Sequence, residues 1–165
     1  MSTNNQNDWI LCKDKIESIG GYKDYYKYID WLSLSNACIS LSYFELDILN
    51  PIGAKEHEDK IINDFSSLIY NMKNLFDLAF KLEKYKFIIV SNELRVDLIT
   101  TLANQIKHSF ELTHRNTISG EDKISISIGV SISRPDESLN DCVRRADRSL
   151  YLSKNQSSGV LVFSK

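Results

Sequence analysis

The side chains of this sequence that could do chemistry are few, and most stand alone. Cys12, Cys38 and Cys142 lie far apart, in an odd number and without metal-site spacing, which fits a reducing compartment and small buried side chains. His57, His108 and His114 form no ligand pair at helical spacing, so no structural zinc is expected. Acids offer more. Glu45 and Asp47 close an apolar run, Asp59 falls near the start of a helical pattern, and Lys154 stands near the end of another. Together they are the chain's candidate ionic groups for a site. Each also has a plain structural role, since acids suit strand ends and helix starts and a lysine suits a helix C-terminus. Arg144, Arg145 and Arg148 read as a solvated face, with an anion or partner site as the alternative. No new nucleophile or metal cluster stands out, and no cofactor or metal is expected.

These residues must be positioned by elements that the apolar periodicity marks out. A helix is expected over 12–34, interrupted or capped near Gly20-Gly21, with Tyr22, Tyr25, Tyr26, Ile29 and Leu32 on its core face. Tyr28 and Trp31 point to the other side of that helix, either toward a partner protein or onto another part of the chain. A strand over 37–46 ends before the turn signal Asn50-Pro51-Ile52-Gly53, and a helix over 56–71 carries Ile61, Ile62, Phe65, Leu68 and Ile69. Segments 75–81 and 85–90 face each other as a hairpin. Asn92 is expected to cap a helix running to about 112, with Leu94, Leu98, Leu102 and Ile106 inward, before a polar loop over 113–122. Ile124, Ile126, Ile128, Val130 and Ile132 alternate with small residues in the clearest strand. Pro135-Asp136-Glu137-Ser138 opens a helix with Leu139, Val143, Ala146 and Leu150. After Gly159 a last strand is expected over 160–163.

The predicted order is helix, strand, helix, hairpin, helix, strand, helix, strand. That is an α+β arrangement, ferredoxin-like, with a central, mainly antiparallel sheet flanked by helices. Residues 1–8 read as a disordered polar tail and 9–165 as a single domain. The 165 residues, 42% of them apolar, suffice for a sizeable core. A net charge of −2 from 20 basic and 22 acidic residues exerts no pull on DNA or an anionic membrane. No apolar run approaches the ~18 residues of a membrane span, and the opening residues contain no signal-peptide core. A soluble, cytoplasmic protein is expected.

Ser127-Ile128-Gly129-Val130 is followed further on by Ala146-Asp147-Arg148-Ser149-Leu150-Tyr151-Leu152-Ser153-Lys154. This pairing resembles the GGDEF domain of diguanylate cyclases, which condense two GTP molecules into cyclic di-GMP. The resemblance runs from about Asp14 onward and implies the nucleotidyl-cyclase palm fold. By its register Glu45 and Asp47 take the places of an acid pair whose first member binds magnesium. Asp59 takes that of the guanine-pairing acid, and Lys154 that of a triphosphate-contacting lysine. Leu49-Asn50-Pro51-Ile52-Gly53 replaces a segment that carries a phosphate-binding lysine and a guanine-binding asparagine, and Ser158 replaces an arginine. Asn74-Leu75-Phe76-Asp77 falls on the inhibitory-site signature without its arginine. The motif itself reads Glu83-Lys84-Tyr85-Lys86-Phe87. Glu83 and Lys84 replace both glycines, Tyr85 replaces the metal-binding acid and Lys86 replaces the next acid.

Magnesium is held by hard oxygen ligands, so losing one carboxylate at ~4 Å forfeits on the order of 4 kcal/mol at intermediate dielectric. Two long side chains also stand where a nucleotide needs bare backbone. The resemblance therefore implies a catalytically inactive GGDEF-like domain that serves as a protein-binding adaptor or regulator in bacterial cyclic di-GMP-related signalling. Its expected partner is another signalling or assembly protein, with a homodimer as a further option and Tyr28 and Trp31 as contact residues. The alternative is a non-catalytic receptor for GTP or cyclic di-GMP, using the vestigial set Glu45, Asp47, Asp59 and Lys154. Gly129 is expected to be structural, marking a close approach.

Overall fold

The computed structural model describes residues 19–49, 55–74, 77–115, 123–156 and 162–163. The expected tail at 1–8, the first part of the 12–34 helix, the turn at 50–53, most of the 113–122 loop, Ser158 and Gly159 lie outside them. The described elements are α1 (Tyr22–Ser35), β1 (Ser40–Leu49), α2 (Lys55–Met72), β2 (Leu78–Lys81), β3 (Lys86–Ser91), α3 (Val96–Arg115), β4 (Lys123–Ile132), α4 (Leu139–Lys154) and β5 (Val162–Phe163). This is the expected order. The sheet runs β2-β3-β1-β4-β5, antiparallel except for the parallel β4–β5 pair. No helix among the described residues is long and apolar enough to cross a membrane.

Each face of the sheet has its own core. Phe44, Leu46 and Ile89 meet Phe65 and Ile69 of α2 and Ile106 and Phe110 of α3. Leu41, Tyr43 and Val90, on the opposite face, meet Tyr25 and Leu32 of α1 and Ala146 and Leu150 of α4. β1 alternates between the two, which is why successive side chains from Ile39 to Phe44 are all buried.

Both faces of β4 are covered as well. Ser127 and Ser131 are as buried as Ile126 and Ile128, because α4 lies on the serine side. The Ser131 hydroxyl donates to the Cys142 carbonyl at 2.8 Å. Gly129 admits the closest approach: a Cβ there would sit 2.2 Å from the Leu150 nitrogen and 2.6 Å from the Ala146 oxygen. The helix backbone can lie this near only because the position has no side chain. At the head of α4, Ser138 is the N-cap, its hydroxyl oxygen accepting from the Asp141 N–H at 3.2 Å.

Boundary or facing expectations are corrected at β1, α3 and α1. β1 begins at Ser40, three residues beyond the expected start at 37. α3 begins at Val96, because the Glu93 carboxylate takes up the Leu94 and Arg95 N–H groups at 3.0 and 2.9 Å and holds the chain short of helix. Its inward stripe is Ile99, Ala103, Ile106 and Phe110, while Leu94 and Leu98 are exposed. A series spaced strictly by four gains about 40° per step and winds off the core face, whereas steps of four, three and four stay on it.

On α1 the buried residues are Tyr25, Ile29 and Leu32, while Tyr22 and Tyr26 are about half exposed at 53% and 48%. Phe80 of β2 turns the helix: its ring lies 5.7 Å from Tyr25 and 5.9 Å from Tyr28. Tyr28 and Trp31, stacked at 5.8 Å, are therefore half-buried against the core and do not form an outward face.

Candidate functional site

β1 carries Glu45 and Asp47 on the face toward α4, in register with Ser127 and Ser125 of β4. Glu45 also stands opposite Lys86 of β3. The C-terminal end of α4 passes over this corner and delivers Lys154. Its ammonium lies 2.5 Å from Glu45 Oε1 and 3.8 Å from Asp47 Oδ1. The second Asp47 oxygen accepts from the Ser127 hydroxyl at 2.7 Å. The Glu45 carboxylate, hydrogen-bonded to it, raises the Lys154 pKa above the ordinary lysine value. Three of the four predicted pocket residues are thus brought together, as a lysine held by two acids.

Lys86 adds a second ammonium beside them. It pairs with Asp147 of α4 at 2.6 Å and lies 5.1 Å from the centre of the Tyr43 ring. The turn before it is closed by the Leu82 and Glu83 N–H groups donating to the Lys86 carbonyl at 2.9 and 3.3 Å. Asn36 is the one described non-glycine residue with positive φ, so the turn at Glu83-Lys84 uses backbone that any residue can adopt. Tyr85 points to the other side of the sheet, packs on the α2/α3 core and donates its hydroxyl to Glu58 of α2. Lys84 reaches the same carboxylate at 2.8 Å. The hairpin is therefore tied to α2 through Glu58 and to α4 through Asp147.

Asp59, next to Glu58 on α2, is half-buried, and no hydrogen bond or ion pair links it to Glu45, Asp47 or Lys154 among the described residues. The fourth predicted residue does not join the other three. Asp77 is buried at 1% exposure, its carboxylate accepting from the Asn74 N–H at 3.2 Å, while Leu75 and Phe76 lie outside the described residues. Glu58 and Asp147 escaped the reading of the sequence. Asp147 stands in the Ala146–Lys154 motif and Glu58 in no motif, and each acquires its hairpin partner from a segment remote in the chain.

This corner does not fit a divalent cation. The carboxylate best placed to bind one, Glu45, already holds Lys154, and Lys86 stands across the strand. At ~4 Å and an effective dielectric near 20, an ammonium repels a divalent cation by about 8 kcal/mol. Among the described residues no group of three or more His, Cys, Asp or Glu side chains is arranged to hold a metal.

Comparison with known proteins agrees with the architecture. Three solved structures superpose over most of the chain. The coiled coil and GGDEF domain of DgcB from Caulobacter crescentus, in complex with c-di-GMP, has a TM-score of 0.76 at 17% identity, covering 96% of this chain and 90% of that one. The active GGEEF domain of a diguanylate cyclase from Vibrio cholerae gives 0.70 at 18% identity, covering 90% and 99%. Diguanylate cyclase SiaD in complex with its activator SiaC, from Pseudomonas aeruginosa, gives 0.75 at 15% identity, covering 96% and 66%. No curated protein matches by sequence. The family profile described as "Diguanylate cyclase, GGDEF domain" matches residues 48–159, a span that includes Asp59, the hairpin and Lys154. Most of the chain carries that profile on a sheet of the same topology, and the chain belongs to the GGDEF domain family.

Proposed function

We propose that this chain is a catalytically inactive GGDEF domain that acts as a protein-binding adaptor or regulator in cyclic di-GMP-related signalling. The observation that carries the reading is the motif hairpin, where Tyr85 and Lys86 stand at the acid positions and are engaged by Glu58 and Asp147. Phosphoryl transfer of this kind depends on a metal to spread developing charge and on a hydroxyl aimed at phosphorus. Here Tyr85 stands where the second metal-binding acid would be, and Lys86 brings an ammonium opposite Glu45. The motif hairpin is fastened to α2 and α4 by Lys84, Tyr85 and Lys86. What remains useful is shape. SiaD, a structural neighbour, is itself bound to an activator protein, which supports the idea that such a domain can be read by a protein partner.

Incubating the purified chain with GTP and either magnesium or manganese tests the catalytic half. Chromatography should show no cyclic di-GMP above a protein-free control. Product that forms and then disappears in a Glu45→Ala variant would overturn the reading. For the binding half, the immobilised chain should retain a signalling or assembly protein from its native cell, and free chain should compete that protein off.

A further inference from the structure

A cavity of about 470 Å³ opens between the sheet and the start of α3, far along the strands from the Glu45 corner. Ser40, Ser42 and Ser91 contribute to its lining from the sheet, and Asp77, Leu98 and Thr101 from around it. Two of these groups are out of balance. Ser40 is 1% exposed and its Oγ has no hydrogen-bond partner, a rare condition for a buried hydroxyl. Asp77 is equally buried, with a backbone N–H on its carboxylate and no basic side chain among the described residues ion-paired to it. A buried carboxylate is stable when a cation or several donors meet it. Arg95, the base among the described lining residues, is already held by both oxygens of Glu93 at 3.0 and 2.9 Å.

We propose that this cavity binds a small organic cation, an ammonium or guanidinium group carried on an apolar body. The charged end meets Asp77, a further donor satisfies Ser40 Oγ, and the body lies against Ile89, Leu98 and Ile99. A small-molecule site needs apolar wall for the ligand body and convergent polar groups for its head; here Ile89, Leu98, Ile99 and Leu102 supply the first and the more numerous polar lining residues the second. The cavity includes Asn74 and Asp77, the ends of the segment that falls on the family's inhibitory signature. With asparagine in the arginine's place and Asp77 and Glu93 on the walls, its charge is wrong for a phosphate-bearing ligand. The inferred ligand has the opposite sign. The inference is independent of whether the chain is catalytic.

Amide-resolved NMR titration of the full chain tests this, with benzamidine as the cationic probe, benzamide as its neutral isostere, benzoate as the anion, and cyclic di-GMP. Benzamidine should shift the amide signals of Ser40, Asp77 and Ser91. Benzamide should bind at least tenfold more weakly, and benzoate and cyclic di-GMP should leave these signals in place. Asp77→Asn should erase the preference for benzamidine over benzamide. Thr101→Trp, made at an exposed wall position that the fold does not rely on, should abolish binding with the remaining spectrum unchanged. The proposal is overturned if benzamidine does not bind, if benzamide binds equally well, if either variant binds as the native chain does, or if cyclic di-GMP displaces the probe.

Discussion

The hydroxyl oxygens of Tyr25 and Tyr43 lie 3.1 Å apart beneath α1, within the core cluster on that face of the sheet. Burial pushes the Tyr25 hydroxyl up to about 12, against an ordinary value of 10.0, and raises Tyr43 further by the same cause. A raised folded-state pKa means that the fold favours the protonated form. The stabilisation is complete below about pH 10 and is lost as pH rises through about 12. Lys154, also raised, loses its pairing in the alkaline range and acts in the same direction. Urea unfolding at pH 7, 10 and 11 should therefore show stability falling above pH 10. Tyr25→Phe should lower stability by about 1 kcal/mol at pH 7 and make the alkaline fall shallower than in the native chain. A fall of unchanged steepness would show that the pair does not couple to folding. Lys86 carries the complementary lesson. It is one of several lysines in the sequence, and its weight comes from standing opposite Glu45 on a neighbouring strand.

β4 and α4 are the elements whose fit is tightest. The alternation from Ile124 to Ile132 and the apolar positions of α4 were legible, and both elements form close to where the pattern puts them. Their contact depends on Gly129, where a side chain would meet helix backbone at 2.2 Å, and backbone cannot step aside as a flexible side chain can. Gly129→Val should lower stability by about 1–3 kcal/mol through overpacking, read as a lower melting temperature or urea midpoint. An unchanged midpoint would mean that α4 is not seated on β4. α1 and α3 were legible as helices but not in their facing. Periodicity gives an apolar arc, and a tyrosine-rich helix offers more than one candidate arc. Phe80 on β2 selects the arc with Tyr25 and Tyr28, leaving Tyr22 and Tyr26 outside. The start of α3 depends on the Glu93 side chain capping two N–H groups, a local competition that the apolar pattern does not record.

For the molecule as a whole, the positions that would serve a nucleotide are spread over β1, α2, the β2–β3 turn and α4. Their changes therefore act together. Glu45 is neutralised from α4, the turn is bound down from α2, and Asp59 is ion-paired to neither. Losing the backbone cradle, a metal ligand and phosphate contacts at once should leave GTP binding weaker than about 100 μM. Isothermal titration with GTP and magnesium reads this directly. Low-micromolar affinity abolished by Asp59→Ala would place the receptor reading ahead of the adaptor reading.

By itself the sequence determined the order of elements, the family and the identities of the substituted motif residues. All three reside in local pattern: apolar periods, turn residues, and the Ser-Ile-Gly-Val and Ala-Asp…Lys segments. It also marked Glu45, Asp47, Asp59 and Lys154 as a group. Only the tertiary structure decided that Lys154 neutralises the two acids and that Asp147 and Glu58 hold the hairpin. The tertiary structure also placed an unpaired serine and a buried carboxylate around one cavity. Periodicity is set by each segment's own backbone and reads out residue by residue. Charge pairing at 2.5–3.8 Å depends on which strands lie side by side and how far a helix extends across them, and no single segment contains that information.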